Sequence, residues 1–349
     1  MKFSQAILDA TCEVMKSDRK ALVFGLGVTD PKSIFGTTEG LAKEFGSNRV
    51  FDIPLAENAM TGVAIGLAAR GFKVLFVHQR LDFYLLAMDQ LVNTAAKWHM
   101  MYGGDTFAPI TIRLIVGRGW GQGPTHSQAL HSWFAHIPGL KVVMPSNPAD
   151  AKGLLIESVL DPNPVVFIEH RWLHDMDGEV PKGMHRIPIG KSRVVTEGSD
   201  ITVVACSLMT AEAIHASNFL RKRYGIGVEV IDLRSIRPID WQSIFKSVLK
   251  TGRLLALDIG HSTGSVAGEI ISRVSSEMAD GFRSNPERIG LPDFSTPTSF
   301  GLTKNFYPDA SDICKRIGKM LNIQIDTSWL DGNKGLKHDV PGEWFNGPF

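Results

Sequence analysis

FDIPLAENAMTGVAIGLAARG, residues Phe51–Gly71, decides how the rest of the chain is understood. A short apolar run, Arg49–Leu55, is broken by Pro54. After Asp52 a single acid, Glu57, stands at the head of a run of small and apolar residues, and the next acid is Asp82. Ala59, Gly62, Val63 and Gly66 recur at helical spacing, which predicts a helix that runs to Gly71. Each glycine costs a helix interior about 0.5–1 kcal/mol relative to alanine. Close approach of another backbone to the Gly62/Gly66 stripe is the expected compensation. Glu57 itself has two readings. It is a first-turn acid favoured by the helix dipole, or a carboxyl in an apolar wall that gives a proton to a cofactor nitrogen.

Composition narrows the class. At 349 residues the chain is long enough for two ordinary domains. A hydrophobic content of 44% and a charged content of 21% are those of a globular protein. The net charge of +1 gives no reason to expect a nucleic-acid partner. No apolar run approaches the roughly 20 residues that span a bilayer. The first twenty residues read as an amphipathic helix and not a signal peptide. Cys12, Cys206 and Cys314 are too few and too far apart for a disulfide framework or a zinc site, and they point to the cytoplasm.

Apolar strands alternate with helical patterns along most of the chain. The predicted strands are Leu22–Val28, Lys73–Val77, Ile110–Val116, Lys141–Met144 and Val165–Glu169. Helices are expected at 41–45, 82–100 and 147–160; in the second, Leu85, Met88, Val92 and Ala95 share one face. This alternation predicts an α/β fold with a mostly parallel sheet covered by helices. From 171 to 199 the chain turns irregular and polar and reads as a linker. A second alternating set follows, with strands at 201–206, 228–233 and 254–259 and helices at 210–223, 241–249, 265–279 and 310–321. Residues 283–307 read as irregular. The tail from 326 is rich in Gly, Pro and aromatics, and is either disordered or docked on a neighbouring chain.

Five pieces in order resemble the β subunits of the decarboxylating component of 2-oxo-acid dehydrogenases, whose relatives act on pyruvate, branched-chain 2-oxo acids or acetoin. They are RVFDIPLAENAMTGVAIGLAARG, AMDQLVNTAAKW, THSQALHSWFAHIPGLKVVMPSNPADAKGLL, DPNPVVFIEH, and VIDLRSIRPID with SVLKTGRLLALD. The resemblance runs from about Leu22 to Leu321 and implies a thiamine-diphosphate enzyme of the transketolase-like superfamily. It implies a pyrimidine-binding domain over 1–185, a linker over 186–199, a transketolase C-terminal-like domain over 200–325, and a tail from 326 to 349.

The resemblance also assigns roles. Glu57 matches the acid that hydrogen-bonds the aminopyrimidine nitrogen, and Phe83 matches the aromatic that stacks on that ring. His126 matches the active-site histidine, and an imidazole titrates near neutral pH. His136 fits the pattern as a structural residue, and His131 is left open. Ser158, Val159, Asp161 and Asn163 match a site where some relatives bind potassium, largely through backbone carbonyls. His78, Gln79 and Arg80 depart from the family's small or apolar neighbours; His78 and Arg80, with His126, are candidates for substrate contact. Arg80, Arg113 and Arg118 are either met by an anionic substrate or paired within the protein.

One family signature is absent. The Gly-Asp-Gly and Asn-Asn pair that holds magnesium and the diphosphate does not occur, and Gly103-Gly104-Asp105 has the wrong order. The chain therefore resembles half an active site. The implied partner is an α subunit in an α2β2 heterotetramer, holding magnesium and diphosphate, with a β–β dimer contact and a lipoyl-bearing acyltransferase as acyl acceptor. Two alternatives remain open at this level. One is half of a split transketolase that passes an active aldehyde to an aldehyde acceptor, and the other is a non-catalytic scaffold.

Overall fold

The computed structural model describes residues 1–30, 34–118, 122–278, 281–303 and 305–332. Trp120, in the glycine-rich loop, and the aromatic tail residues Trp344, Phe345 and Phe349 lie outside the described residues. The main boundary between two compact units falls between Ile189 and Gly190.

In the first unit α1 (Phe3–Ser17) leads into β1 (Ala21–Gly25). Then come α2 (Leu41–Phe45), β2 (Val50–Asp52), α3 (Glu57–Ala69) and β3 (Lys73–His78). The chain continues through α4 (Leu81–Tyr84), α5 (Trp98–Met101), β4 (Ile110–Val116), α6 (His131–His136), β5 (Lys141–Val143), α7 (Pro148–Leu160) and β6 (Val165–His170). These strands pair in parallel in the order β5-β6-β4-β3-β1-β2. All seven residues of β4 are buried, as expected of a parallel strand covered on both faces. Gly25 lets β1 and β3 approach closely: a Cβ there would sit 1.9 Å from the Val77 carbonyl oxygen. Asn147 caps α7 by accepting the Asp150 N–H at 3.0 Å, and Pro148 stands at the first helical position.

The second unit contains β7 (Arg193–Thr196), β8 (Ile201–Ala205), α8 (Leu208–Tyr224), β9 (Val228–Asp232), β10 (Ser235–Arg237), α9 (Trp241–Thr251), β11 (Leu254–His261), α10 (Val266–Glu277) and β12 (Glu287–Leu291). It ends with α11 (Ala310–Leu321) and α12 (Ser328–Gly332). Its sheet runs β12-β11-β8-β9-β7, with only β7 antiparallel to its neighbour. Two mostly parallel sheets flanked by helices are thus the observed fold class.

Three expectations need correction. Residues 82–100 do not form one regular helix. Between α4 and α5 the backbone passes through a 3-10 turn (Leu85–Ala87), a π turn (Gln90–Thr94) and a second 3-10 turn (Ala95–Lys97). These changes of pitch shift the face, so that Leu81, Tyr84, Ala87, Leu91, Ala95 and Ala96 are the buried apolar residues, while Leu85, Met88 and Val92 are not. The stretch expected to be linker contains the edge strand β7, whose first two residues are exposed and so carry no alternation signal. Residues 283–307, expected to be irregular, contain β12. In the tail, Trp329 stacks on Phe219 of its own unit, with ring centroids 6.1 Å apart.

The close approach at Gly25 makes a clear prediction. Gly25→Val must push β1 and β3 apart, and overpacking of this kind costs about 1–3 kcal/mol. The thermal midpoint should fall, and an unchanged midpoint would contradict the packing described.

Candidate active site

The parallel strands β3, β4 and β6 end together at His78, Val116 and His170, and ligands of open α/β sheets bind beyond such carboxyl ends. Glu57 is the first residue of α3, on its buried face with Thr61, Ala64, Ile65 and Ala68. The side chain is only 8% exposed. Among the described residues its carboxyl makes no hydrogen bond or ion pair. The Thr61 hydroxyl instead donates to the Glu57 backbone carbonyl at 2.8 Å and steadies the first turn. The opposite stripe of α3 faces outward. Ala59, Val63 and Gly66 are exposed, and a Cβ on Gly66 would meet nothing within 4 Å. A Cβ on Gly62 would meet only the Gln90 side chain, at 3.4 Å, so no backbone among the described residues closes on either glycine of the expected stripe.

Phe83 and His126 meet edge to face, with centroids 5.5 Å apart and planes at 84°. His126 is exposed, and its Nδ1 lies 2.9 Å from the Thr125 hydroxyl. Sequence reasoning missed the residues that secure this pair. Asp82 Oδ1 accepts both the Gln128 backbone N–H at 3.2 Å and the Gln128 side-chain amide at 2.8 Å.

The substrate-contact expectation for His78 and Arg80 does not fit their placement. His78 is fully buried between Phe76 and Tyr84, with centroids at 4.3 and 4.7 Å. Burial pushes its pKa down to about 3, so it is a neutral core imidazole. Arg80 is 4% exposed, and its Nη1 donates to the Gly117 carbonyl at 2.7 Å. Desolvation lowers the Arg80 pKa, and the nearby Asp82 carboxylate opposes that shift. His131 is also buried.

Arg113 resolves to the paired alternative. It is completely buried, its Nε donates to Glu169 Oε1 at 2.6 Å, and its Nη2 donates to the Thr37 hydroxyl. His174 Nε2 stands 3.4 Å from the other Glu169 oxygen. Burial works to raise the Glu169 pKa, but Arg113 and His174 outweigh it and hold it below the ordinary carboxylate value. Arg171 lies over the Phe35 ring at 4.6 Å; desolvation, then Arg80, lowers its pKa to about 10. Arg171 and His174 lie in the stretch that reads as polar linker, so neither periodicity nor motif marked them.

At the end of α7, Asp161 is ion-paired with Lys141 and accepts the Asn163 N–H at 2.9 Å. The Ser158 hydroxyl donates to the Leu154 carbonyl at 2.6 Å, and Val159 is buried. Side chains here are committed within the protein, so a cation would have to rely on carbonyl oxygens. Among the described residues no group of three or more His, Cys, Asp or Glu side chains could hold a metal ion. No helix among them is long and apolar enough to cross a membrane.

The two sheets and this carboxyl-edge site define a two-unit transketolase-like α/β protein. Residues 1–175 match the transketolase pyrimidine-binding domain, and residues 190–313 match the transketolase C-terminal domain. The chain is 38% identical to the pyruvate dehydrogenase E1 component subunit beta of Rhizobium meliloti, over 90% of this chain and 68% of that protein. It is 37% identical to the acetoin:2,6-dichlorophenolindophenol oxidoreductase subunit beta of Cupriavidus necator, over 86% of this chain and 89% of that one. The Bacillus subtilis pyruvate dehydrogenase E1 subunit beta is 36% identical, over 93% and 99% of the two chains. A solved split-gene transketolase, described as an inactive beta4 tetramer, superposes with a TM-score of 0.73 at 22% identity, over 92% and 98% of the chains, and shows the same fold. The chain belongs to the β-subunit family of thiamine-diphosphate-dependent 2-oxo-acid dehydrogenases.

The buried Arg113–Glu169 pair carries a stability prediction. Glu169→Gln leaves a buried guanidinium uncompensated, which costs about 3–5 kcal/mol. Because the folded-state pKa of Glu169 is depressed, its contribution is present above the ordinary carboxylate range. It is lost as pH falls through the folded-state value. Denaturant unfolding at neutral pH should show the variant much less stable, with the gap to wild type closing on acidification. Equal stability at neutral pH would contradict the pairing.

Proposed function

We propose that this chain is the β half of a thiamine-diphosphate-dependent enzyme that decarboxylates a 2-oxo acid and passes the acyl unit to a lipoyl-bearing acyltransferase. The observation that carries this is the Glu57 carboxyl: nearly buried, at the head of α3, and without a partner among the described residues. A carboxyl so placed suits a hydrogen bond to a ring nitrogen of the cofactor. When bound, thiamine diphosphate supplies the electron sink for loss of carbon dioxide. Glu57 holds a proton at the aminopyrimidine nitrogen. Phe83 offers an aromatic surface to that ring, braced edge-on by His126. His126, exposed at the end of its loop, moves a proton on the substrate side.

A separate α subunit supplies the residues for magnesium and the diphosphate, and the open face of α3 at Ala59, Val63 and Gly66 suits its approach. An α2β2 assembly with a β–β contact through the second unit completes the site. The carbonyls around Ser158, Val159, Asp161 and Asn163 take a potassium ion. The cytoplasm suits the free cysteines. Relatives named for pyruvate dehydrogenase support 2-oxo-acid chemistry, and these together with one named for an acetoin oxidoreductase support an enzyme over a scaffold role. Glu57→Gln in the reconstituted complex should lower decarboxylation by at least about a hundredfold, the scale of general acid–base roles. Activity equal to wild type in a 2-oxo-acid decarboxylation assay would contradict the assignment.

A further inference from the structure

The three-residue segment before Phe83 holds a residue on each side of His126 in the chain. At its start, Arg80 Nη1 donates to the Gly117 carbonyl at 2.7 Å. At its end, Asp82 Oδ1 accepts two N–H groups from Gln128, at 3.2 and 2.8 Å. Both side chains are nearly buried, at 4% and 9% exposure. Burial lowers the Arg80 pKa, and the nearby Asp82 carboxylate opposes that shift. Gly117 is held from its other side as well. Its φ is +100°, and a Cβ there would lie 2.7 Å from His170 Cε1. The residue after Asp82 is Phe83, which meets His126 edge to face.

We propose that Arg80 and Asp82 are positioning residues that hold Gly117 and Gln128, which flank His126 in the chain, and so set the angle at which His126 meets Phe83. A first-turn acid favoured by a helix dipole would leave its oxygens free for solvent. The Asp82 oxygen is instead used on Gln128 through charge-assisted bonds, which are about twice as strong as neutral ones. The inference rests on the catalytic role given above to His126, but the brace itself is a matter of geometry and is read without cofactor.

Two measurements test it. In the full chain carrying 13C-labelled histidine, the His126 ring signal is assigned by its loss in His126→Ala. The displacement that Phe83 imposes on it is measured with Phe83→Leu. Asp82→Ala should largely abolish that displacement, and Asp82→Asn, which keeps a side-chain oxygen, should preserve most of it. In the complex with its α subunit, Asp82→Ala should lower kcat tenfold or more, since misplacement by about 1 Å can cost a hundredfold. KM for the 2-oxo acid should change little. In a His126→Ala background Asp82→Ala should cost almost nothing further. A merely structural aspartate would give the same loss in both backgrounds, and that result, or an unmoved His126 signal, overturns the proposal. If Asp82→Ala does not fold, Gln128→Ala removes the side-chain arm and enters the same comparisons with the same criteria. A wild-type complex without decarboxylase activity would sink the functional reading alone, with the ring signal still deciding the brace.

Discussion

The bond from Arg113 to Glu169 spans β4 and β6 with neither side chain exposed, and the carboxyl edge of the first sheet is organised around it. A buried guanidinium requires its carboxylate, and the carboxylate requires its donors. Thr37 is tied in through Arg113, and His174 through Glu169. The turn after β1 and the turn after β6 are thereby drawn to the ends of the strands. Arg171 and Phe35, from the same two turns, add a cation–π contact. On this rigid edge the short segment after β3 can hold a loop by hydrogen bonds without itself being a loop.

The fold was legible wherever burial is two-sided and periodic. Ile110–Val116 reads as an unbroken apolar strand apart from Thr111 and Arg113, and it is one. Asn147-Pro148 announces a helix start, and the cap is made. Legibility failed where the pattern carries no such signal. β7 is an exposed antiparallel edge with a register shift, so no alternation marks it. Between α4 and α5 the apolar residues recur at a spacing that suits a regular helix, but π and 3-10 turns rotate the buried face away from Leu85, Met88 and Val92. Those turns answer to tertiary packing, which local spacing does not encode.

The candidate site divides along the same line. Glu57, Phe83 and His126 stand in motifs that can be matched residue by residue. Asp82, Gln128, Glu169 and His174 act through partners distant in sequence, and no spacing pairs them. Arg80 and His78 were marked for their unusual chemistry, yet the interior uses both. His78 serves as a neutral ring between Phe76 and Tyr84, and Arg80 as a donor to a loop carbonyl. The glycine stripe of α3 reads as a close-packing surface, but the described residues of this chain put no backbone against Gly66. A surface suited to close packing and a carboxyl without a partner lie on one helix, which is the arrangement expected of a site completed by a second chain.

The central claim is that this chain grips one end of the cofactor and leaves the diphosphate to another subunit. Calorimetric titration of thiamine diphosphate with magnesium tests it most directly, using this chain alone and mixed with its α subunit. The account predicts heat of binding only in the mixture. Tight binding to the lone chain would mean that it has its own diphosphate grip, and would contradict the half-site.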